Sequence, residues 1–348
     1  MIYLVDLEYV ETRYTAQWKV HFPEAIRNAG AAVTVIDGPD NIAECATPGA
    51  FLNFSGTNIY KSEQVRKIAE LFHANKVQPG DKFVFADAWH PGIINLKYMS
   101  QLLGVPVETH GLWHAGSYDP NDFLGAHRYQ PWLQHAEKSF YHAYDYNWFA
   151  SHDHKGMFNH YFGTDRTYRT GWPMDYLIHE IVHDTRGIDK EDVILFPHRL
   201  AVEKQPEIFR DMQKHLPEYT LVIAQDESLT KAEYHKLLGS AKMVFSANLQ
   251  ETLGIGCYEI LCAGGMPLVP DALSYSEMYS HEFKYPSDWT ASFAHYEQNR
   301  EELLARIRQM MTFYDDGLMS HSIDKNYKFL TEEYFSADGL INVLKGEE

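Results

Sequence analysis

Residues 246–278 read SANLQETLGIGCYEILCAGGMPLVPDALSYSEM. The apolar run at 243–245, just before them, has the length and composition of a strand. Residues 254–263 then carry apolar side chains at helical spacing, and 267–269 begin another extended piece. Strand, loop, helix, strand is the repeating unit of a parallel α/β sheet. Glu251 falls in the strand-to-helix loop and Glu259 two turns into the helix. At about 3.6 residues per turn, eight positions bring both carboxylates to nearly the same face. The spacing predicts one pocket for both, with the free N–H groups of the helix N-terminus directed at its contents.

The same alternation extends to both sides. Before this stretch, 193–196 and 221–224 read as strands, with helices over 206–215 and 230–238. In the first half, strands are expected at 2–7, 32–36, 51–54, 82–86, 105–109, 146–150 and 167–170. Trp18, Phe22 and Ile26 fall at i, i+4, i+8 of a helix, and further helices are expected over 63–73, 94–103 and 152–162. Gly171-Trp172-Pro173 breaks the pattern, and the polar run 183–192 reads as a linker. From Tyr296 onward the periodicity is helical. The expectation is an α/β protein of two Rossmann-like domains, 1–175 and 193–315, joined by a linker at 176–192. A C-terminal helical segment, 316–348, follows.

Composition is consistent with this. A chain of 348 residues with 45% hydrophobic content can bury two cores of ordinary size. No apolar run approaches the roughly 18 residues of a membrane span. The opening MIYLVDLEYV has neither a basic region nor a cleavage site, and Cys45, Cys257 and Cys262 are odd and unpatterned. A cytoplasmic protein without membrane partners is therefore expected. The formal net charge of −18 means that any nucleic-acid-binding surface must be local. Arg13, Lys61, Arg66, Lys67, Arg128, Lys155, Arg166 and Arg169 all lie in the less acidic first half.

Ligands of parallel α/β sheets bind outside the carboxyl ends of the strands. In the first half the loops there are 8–14, Asp87-Ala88-Trp89-His90 and 110–120 (HGLWHAGSYDP), rich in His, Trp, Tyr and Asp. In the second half, Phe196-Pro-His-Arg-Leu-Ala-Val-Glu-Lys204 places Arg199 and Lys204 five residues apart between a strand and a helix.

With Gly254, the helix, the Gly264-Gly265 turn and Tyr275-Ser276-Glu277, the 246–278 stretch resembles the donor-binding segment of the retaining GT-B glycosyltransferases, the family written E-x7-E. That family has two Rossmann-like domains facing across a cleft, and its C-terminal helix often returns to the first domain. Arg199 and Lys204 resemble its cation pair, which holds the donor diphosphate. Glu259 resembles the second Glu, on the ribose, and Glu251 the first, against the donor sugar. The N–H groups of Thr252, Leu253 and Gly254 would face the phosphates or the sugar. His114 falls where related enzymes place a sugar-contacting His, with His110 as the fallback. The resemblance implies transfer of a sugar with retention from a nucleoside-diphosphate sugar, UDP favoured, and no further cofactor.

The second half is most similar to the queuosine-tRNA mannosyltransferase branch, and residues 109–120 resemble the glycosyltransferases with which tailed phages modify hydroxymethylated pyrimidines in DNA. Both act on a hydroxyl carried by a modified base. The expected acceptor is hydroxymethylcytosine in DNA, with arabinose or glucose as the sugar; queuosine-tRNA, a glycan or a small molecule are the alternatives. Trp89, His90, Trp113 and Tyr118 would hold an extruded base, Asp87 would orient its hydroxyl, and Arg13 would contact the acceptor. Two features depart from the family. The first loop, 8–14, has no Gly, and no Asp-x-Asp occurs.

One competing motif is His179-Glu-Ile-Val-His183, the H-E-x-x-H pattern of zinc hydrolases, with Glu203 or Glu207 as an imaginable third ligand. Its place beside the Trp172-Pro173 break, just before the linker, is unsuited to a long ligand-bearing helix, so no metal is expected.

Overall fold

A computed structural model describes residues 1–10, 14–40 and 53–347. Arg13 and most of the strand expected at 51–54 lie outside these residues. Phe54 opens a helix, entered through Asn53, whose side chain accepts the Gly56 N–H at 2.9 Å.

In chain order the first elements are β1 (Ile2–Val5), α1 (Tyr14–Asn28), β2 (Val33–Ile36), α2 (Phe54–His73), β3 (Lys82–Phe85) and α3 (Gly92–Leu102). They are followed by β4 (Glu108–Trp113), α4 (Pro131–Ala143), β5 (Tyr146–Phe149), α5 (His152–Phe162) and β6 (Tyr168–Arg169). Then come α6 (Tyr176–Thr185), β7 (Glu191–Phe196), α7 (Pro206–Met212), β8 (Thr220–Ile223), α8 (Lys231–Ser240) and β9 (Ala241–Phe245). The chain continues through α9 (Ile255–Cys262), β10 (Met266–Pro270), α10 (Tyr275–Met278), β11 (Lys284–Tyr285), α11 (Phe293–Asp315), α12 (Ser320–Glu333) and α13 (Asp338–Lys345). They form two compact units, one of Met1–Met174 with Ser336–Glu348 and one of Asp175–Phe335.

The first unit holds a six-stranded parallel sheet, β2-β1-β3-β4-β5-β6. Its strands are short and apolar because both faces are covered, and Phe83, Phe85, Trp113, Phe149 and Phe158 are sealed in one cluster. Each such side chain contributes about 1.5–3 kcal/mol by leaving water. The second unit repeats the plan with five parallel strands, β11-β10-β9-β7-β8. In both sheets the chain order reverses beside the first strand, at β1/β3 and at β7/β9. That reversal opens a crevice at the strand ends of a doubly wound sheet.

Several elements differ from the periodicity, α2 among them, which begins at Phe54 rather than 63. Val105 still belongs to the turn out of α3, its N–H and carbonyl both bonded to Ser100, so the strand starts later and includes His110. α4 fills a stretch where no element was expected. α6 occupies part of 176–192 and packs on α8 and α9. α12 braces α9 from the far side: Tyr258 stacks on Phe335 with centroids 3.8 Å apart, and its hydroxyl lies 2.9 Å from Thr331 Oγ1. Among the described residues no helix is long and apolar enough to cross a membrane.

Candidate functional site

In the second unit, the loops leaving β7 and β9 meet at the point where strand order reverses. They are pressed together: a Cβ on Gly256, in the first turn of α9, would stand 2.8 Å from the Pro197 ring. The backbone N–H of Leu249 donates to the Glu203 carbonyl at 2.8 Å. Gln205 Nε2 donates to the carbonyls of Ala247 and Thr290, both at 2.7 Å. Gly254 begins α9 at φ +64°, and a Cβ there would lie 2.5 Å from the Tyr275 ring, so only glycine fits this position without displacement.

These loops bring Lys204 to Glu251. The buried Lys204 Nζ donates to the Gln250 carbonyl and, at 3.1 Å, to Glu251 Oε2. Asn248 Nδ2 donates to the same oxygen at 2.9 Å, and the Thr252 N–H donates to Oε1 at 3.0 Å. Burial is the largest single influence and opposes the charge on Glu251, but the Lys204 ammonium and the hydrogen bonds to the carboxylate together outweigh it and hold the carboxyl down at about 2. Arg199, one-third exposed, pairs with Glu203. Glu259 stands apart from this group. It is half-buried, its Oε2 accepts the Tyr234 hydroxyl at 2.7 Å, and burial raises its carboxyl. The two Glu residues thus have separate polar partners. A cavity of about 280 Å³ opens beside Asn248, walled by Pro270 at the end of β10 and by Leu249, Leu273, Asp288 and Thr290 from the segments after β9, β10 and β11.

In the first unit, the corresponding strand ends carry Asp6, Asp87 and His114. Asp87 is half-buried, which disfavours its charge, yet Lys61 Nζ at 2.7 Å and the hydrogen bonds it accepts together keep its carboxyl below the ordinary value. The Trp89 N–H donates to its other oxygen at 3.0 Å. His114 Nε2 donates to the Ala86 carbonyl at 2.7 Å, which leaves Nδ1 to accept the Tyr14 hydroxyl at 3.1 Å. Burial lowers its pKa, so the ring is neutral. Burial lifts the Asp6 carboxyl to about 7 against the opposing Tyr60 hydroxyl and Lys19.

The expected acceptor aromatics divide. Trp89 is half-buried, its Nε1 donating to Glu137 at 3.0 Å. Trp113, Tyr118 and His90 are core residues at 0%, 3% and 2% exposure. Trp113 donates to Asn147 at 2.8 Å, and Tyr118 packs edge-on to Phe149 and Phe158. His90 Nε2 meets the Gln64 amide oxygen at 3.0 Å, and Nδ1 accepts the Gly92 N–H at 2.9 Å. None of the three offers a face to a base. His110 is likewise sealed in β4, stacked on Tyr146 and bonded to Glu108 at 2.8 Å. On α6, the Glu180 carboxylate accepts Lys231 at 2.5 Å, and His183 is exposed beside Asp184. Among the described residues no three His, Cys, Asp or Glu side chains gather as a metal site.

Asn248, His198 and Tyr234 carry polar contacts of the site and have no local signal. Asn248 Nδ2 donates to His198 Nδ1 at 3.4 Å, and burial drives the His198 pKa down to about 3.

No protein-family model matches this chain, and no curated protein matches its sequence. Solved structures do match in fold. A sucrose-phosphate synthase from Thermosynechococcus elongatus superposes with a TM-score of 0.63 at 12% identity, over 99% of this chain and 97% of that one. The UDP-forming α,α-trehalose-phosphate synthase of Burkholderia vietnamiensis gives 0.53 at 12%, over 90% and 97%. The pneumococcal O-GlcNAc transferase GtfA, in complex with UDP and GlcNAc, gives 0.53 at 11%, over 82% of this chain and 59% of GtfA. This chain therefore spans under two-thirds of GtfA. At such identities the likeness is one of architecture, and the chain has the GT-B fold of two parallel-sheet α/β units.

Proposed function

We propose that this protein is a retaining glycosyltransferase that uses a nucleoside-diphosphate sugar, UDP-linked by preference. The observation that carries the reading is the pairing of Lys204 with Glu251 where the loops after β7 and β9 meet beside the N-terminus of α9, with Arg199 on the same β7 loop held by Glu203. A departing diphosphate gathers negative charge, and preorganised cations with free N–H groups lower the energy of that state. Arg199 and Lys204 would take the phosphates, exchanging their carboxylate partners for phosphoryl oxygens, while the Glu251 carboxylate accepts hydroxyl hydrogens of the sugar. Glu259, on α9, would meet the ribose. The bond from the anomeric carbon to the phosphate breaks as the bond to the acceptor oxygen forms, and the acceptor's proton passes to the leaving phosphate oxygen. No protein base is then needed, and the protein's contribution is position and charge. The UDP in the GtfA complex and the UDP-forming character of the trehalose-phosphate synthase support the choice of nucleotide.

For the acceptor we favour a hydroxyl on a modified base, hydroxymethylcytosine in phage DNA ahead of queuosine in tRNA, on the resemblance of residues 109–120. Tyr129 and Trp132, 75% and 58% exposed, with the Arg128 guanidinium 4.9 Å over the Tyr129 ring, add a surface on which a base can stack. A sugar or other small-molecule acceptor is the second reading. It is favoured by the net charge of −18 and by the sugar-phosphate chemistry named for two of the matched structures.

A thermal-shift screen of UDP- and GDP-sugars tests the donor, because a ligand of the folded form raises the melting temperature. Arabinose and glucose donors come first, followed by transfer assays on hydroxymethylated DNA and on free sugars. Binding to DNA that weakens steeply with salt favours the first acceptor, and salt-insensitive use of a sugar favours the second. No shift with any nucleotide would overturn the proposal.

A further inference from the structure

Glu251 is not held by its own loop and Lys204 alone. Asn248, three residues earlier and 3% exposed, spends its two amide N–H groups on Glu251 Oε2 at 2.9 Å and the Tyr275 hydroxyl at 3.1 Å, with His198 Nδ1 a looser contact of the same nitrogen at 3.4 Å. Its Oδ1 is buried with no hydrogen-bond partner among the described residues. This arrangement fixes which end of the amide is which, since the reversed amide would set a carbonyl oxygen against a carboxylate. Tyr275 is itself locked. It is fully buried, its hydroxyl lies 3.2 Å from Ser246 Oγ at the end of β9, and its ring fills the space that a side chain at 254 would need. The anchor therefore spans the strand end, the start of α9 and α10.

Lys204 attracts the carboxylate as a point charge on a flexible stem and gives it little direction. A planar amide with both N–H groups engaged does give direction. We propose that Asn248 is a positioning residue for Glu251: anchored by Tyr275 and His198, its amide holds the Glu251 carboxylate in the one rotamer from which it meets the donor sugar, a role that rests on the glycosyl-transfer reading above. A carboxylate that swings away by about 1 Å loses on the order of 100-fold in rate, whereas the grip of the cations on the phosphates is unaffected.

Asn248→Asp replaces the donor by a second carboxylate beside Glu251, and two carboxyls so placed share a proton. In a 13C NMR titration of the full chain, the Glu251 carboxyl of the wild type stays ionised down to pH 4. In N248D the pair should keep a proton about two pH units or more higher. With UDP-glucose as donor and water as acceptor, N248D should lose at least about 10-fold in kcat and gain a new acid limb in its pH profile, with UDP affinity within about 2-fold of wild type. Asn248→Ala should lower kcat without the new limb, and Tyr275→Phe, which keeps the ring, should fall between. A Glu251 titration unmoved in N248D, or a kcat loss matched by an equal loss of UDP affinity, overturns the proposal. If Glu251 titrates as described but the wild type neither binds UDP nor hydrolyses UDP-glucose, the transferase reading fails while the positioning of the carboxylate stands.

Discussion

Replacing Lys204 by Met removes the ammonium and keeps most of the buried stem. The side chains of Lys204 and Glu251 are 7% and 18% exposed, and Nζ lies 3.1 Å from Oε2. At an effective dielectric of about 20, such a pair attracts by about 5 kcal/mol, from which the desolvation of both ions is subtracted. The titration of Glu251 gives a second route to the net value. Its carboxyl falls from an ordinary 4.5 to about 2, a gap worth about 3 kcal/mol. Because the folded value is the lower one, this stability is present above pH 4.5 and is lost as the pH falls toward 2. K204M should therefore be less stable by about 3 kcal/mol at pH 7 in urea denaturation, and the deficit should shrink by about 1 kcal/mol between pH 7 and pH 3.5. A deficit under about 1 kcal/mol at pH 7, or one that does not change with pH, would refute the claim that Lys204 keeps Glu251 ionised.

Arg199→Ala leaves the fold intact, since its side chain is one-third exposed, but should lower kcat/KM for the donor by about 100-fold or more; a far-ultraviolet spectrum and a steady-state assay together check this. Gly254→Ala forces a left-handed backbone on alanine and drives its Cβ into Tyr275, so it should cost about 2–4 kcal/mol, read as a melting temperature lower by several degrees. Asp6 has a folded pKa raised to about 7, so its contribution is favourable below pH 4 and is lost as pH rises through 7. Asp6→Asn keeps an oxygen for the Tyr60 hydroxyl; it should raise the melting temperature most at pH 8.5, by about half as much at pH 5.5, and leave it nearly unchanged at pH 3.5.

The two-unit α/β fold was legible because parallel strands covered on both faces are written as short apolar runs, such as VILF in β7 and KFVF in β3, each followed by helical spacing. The positions of Arg199, Lys204 and Glu251 were legible for the same reason: a residue two to nine places past such a run must lie at the strand's carboxyl end. α6 was hidden because its apolar residues, Tyr176, Leu177 and Ile181, are interleaved with His, Glu and Asp that read as linker.

The aromatic loops of the first unit misled because residue type does not say which way a ring points. Position in a strand does. β4 runs from Glu108 through Trp113 with both faces covered, so Thr109 to Trp113 are all buried; Trp113 lies in the core on the face where Gly111 leaves room for the Tyr144 ring, and His114 comes at the strand end. Extending the strand from Glu108 through Trp113 places Trp113 inside before any contact is known. Strand position has no counterpart for Asn248, because its anchors Tyr275 and His198 are 27 and 50 residues away and meet it only when β7, β9 and α10 have taken their places. Motif spacing therefore finds the charged groups that follow a strand directly, while the neutral groups that aim them come from packing between segments distant in the chain. Substitutions of Asn248 and Tyr275 should accordingly change the rate and pH profile of the reaction more than they change the affinity for its nucleotide.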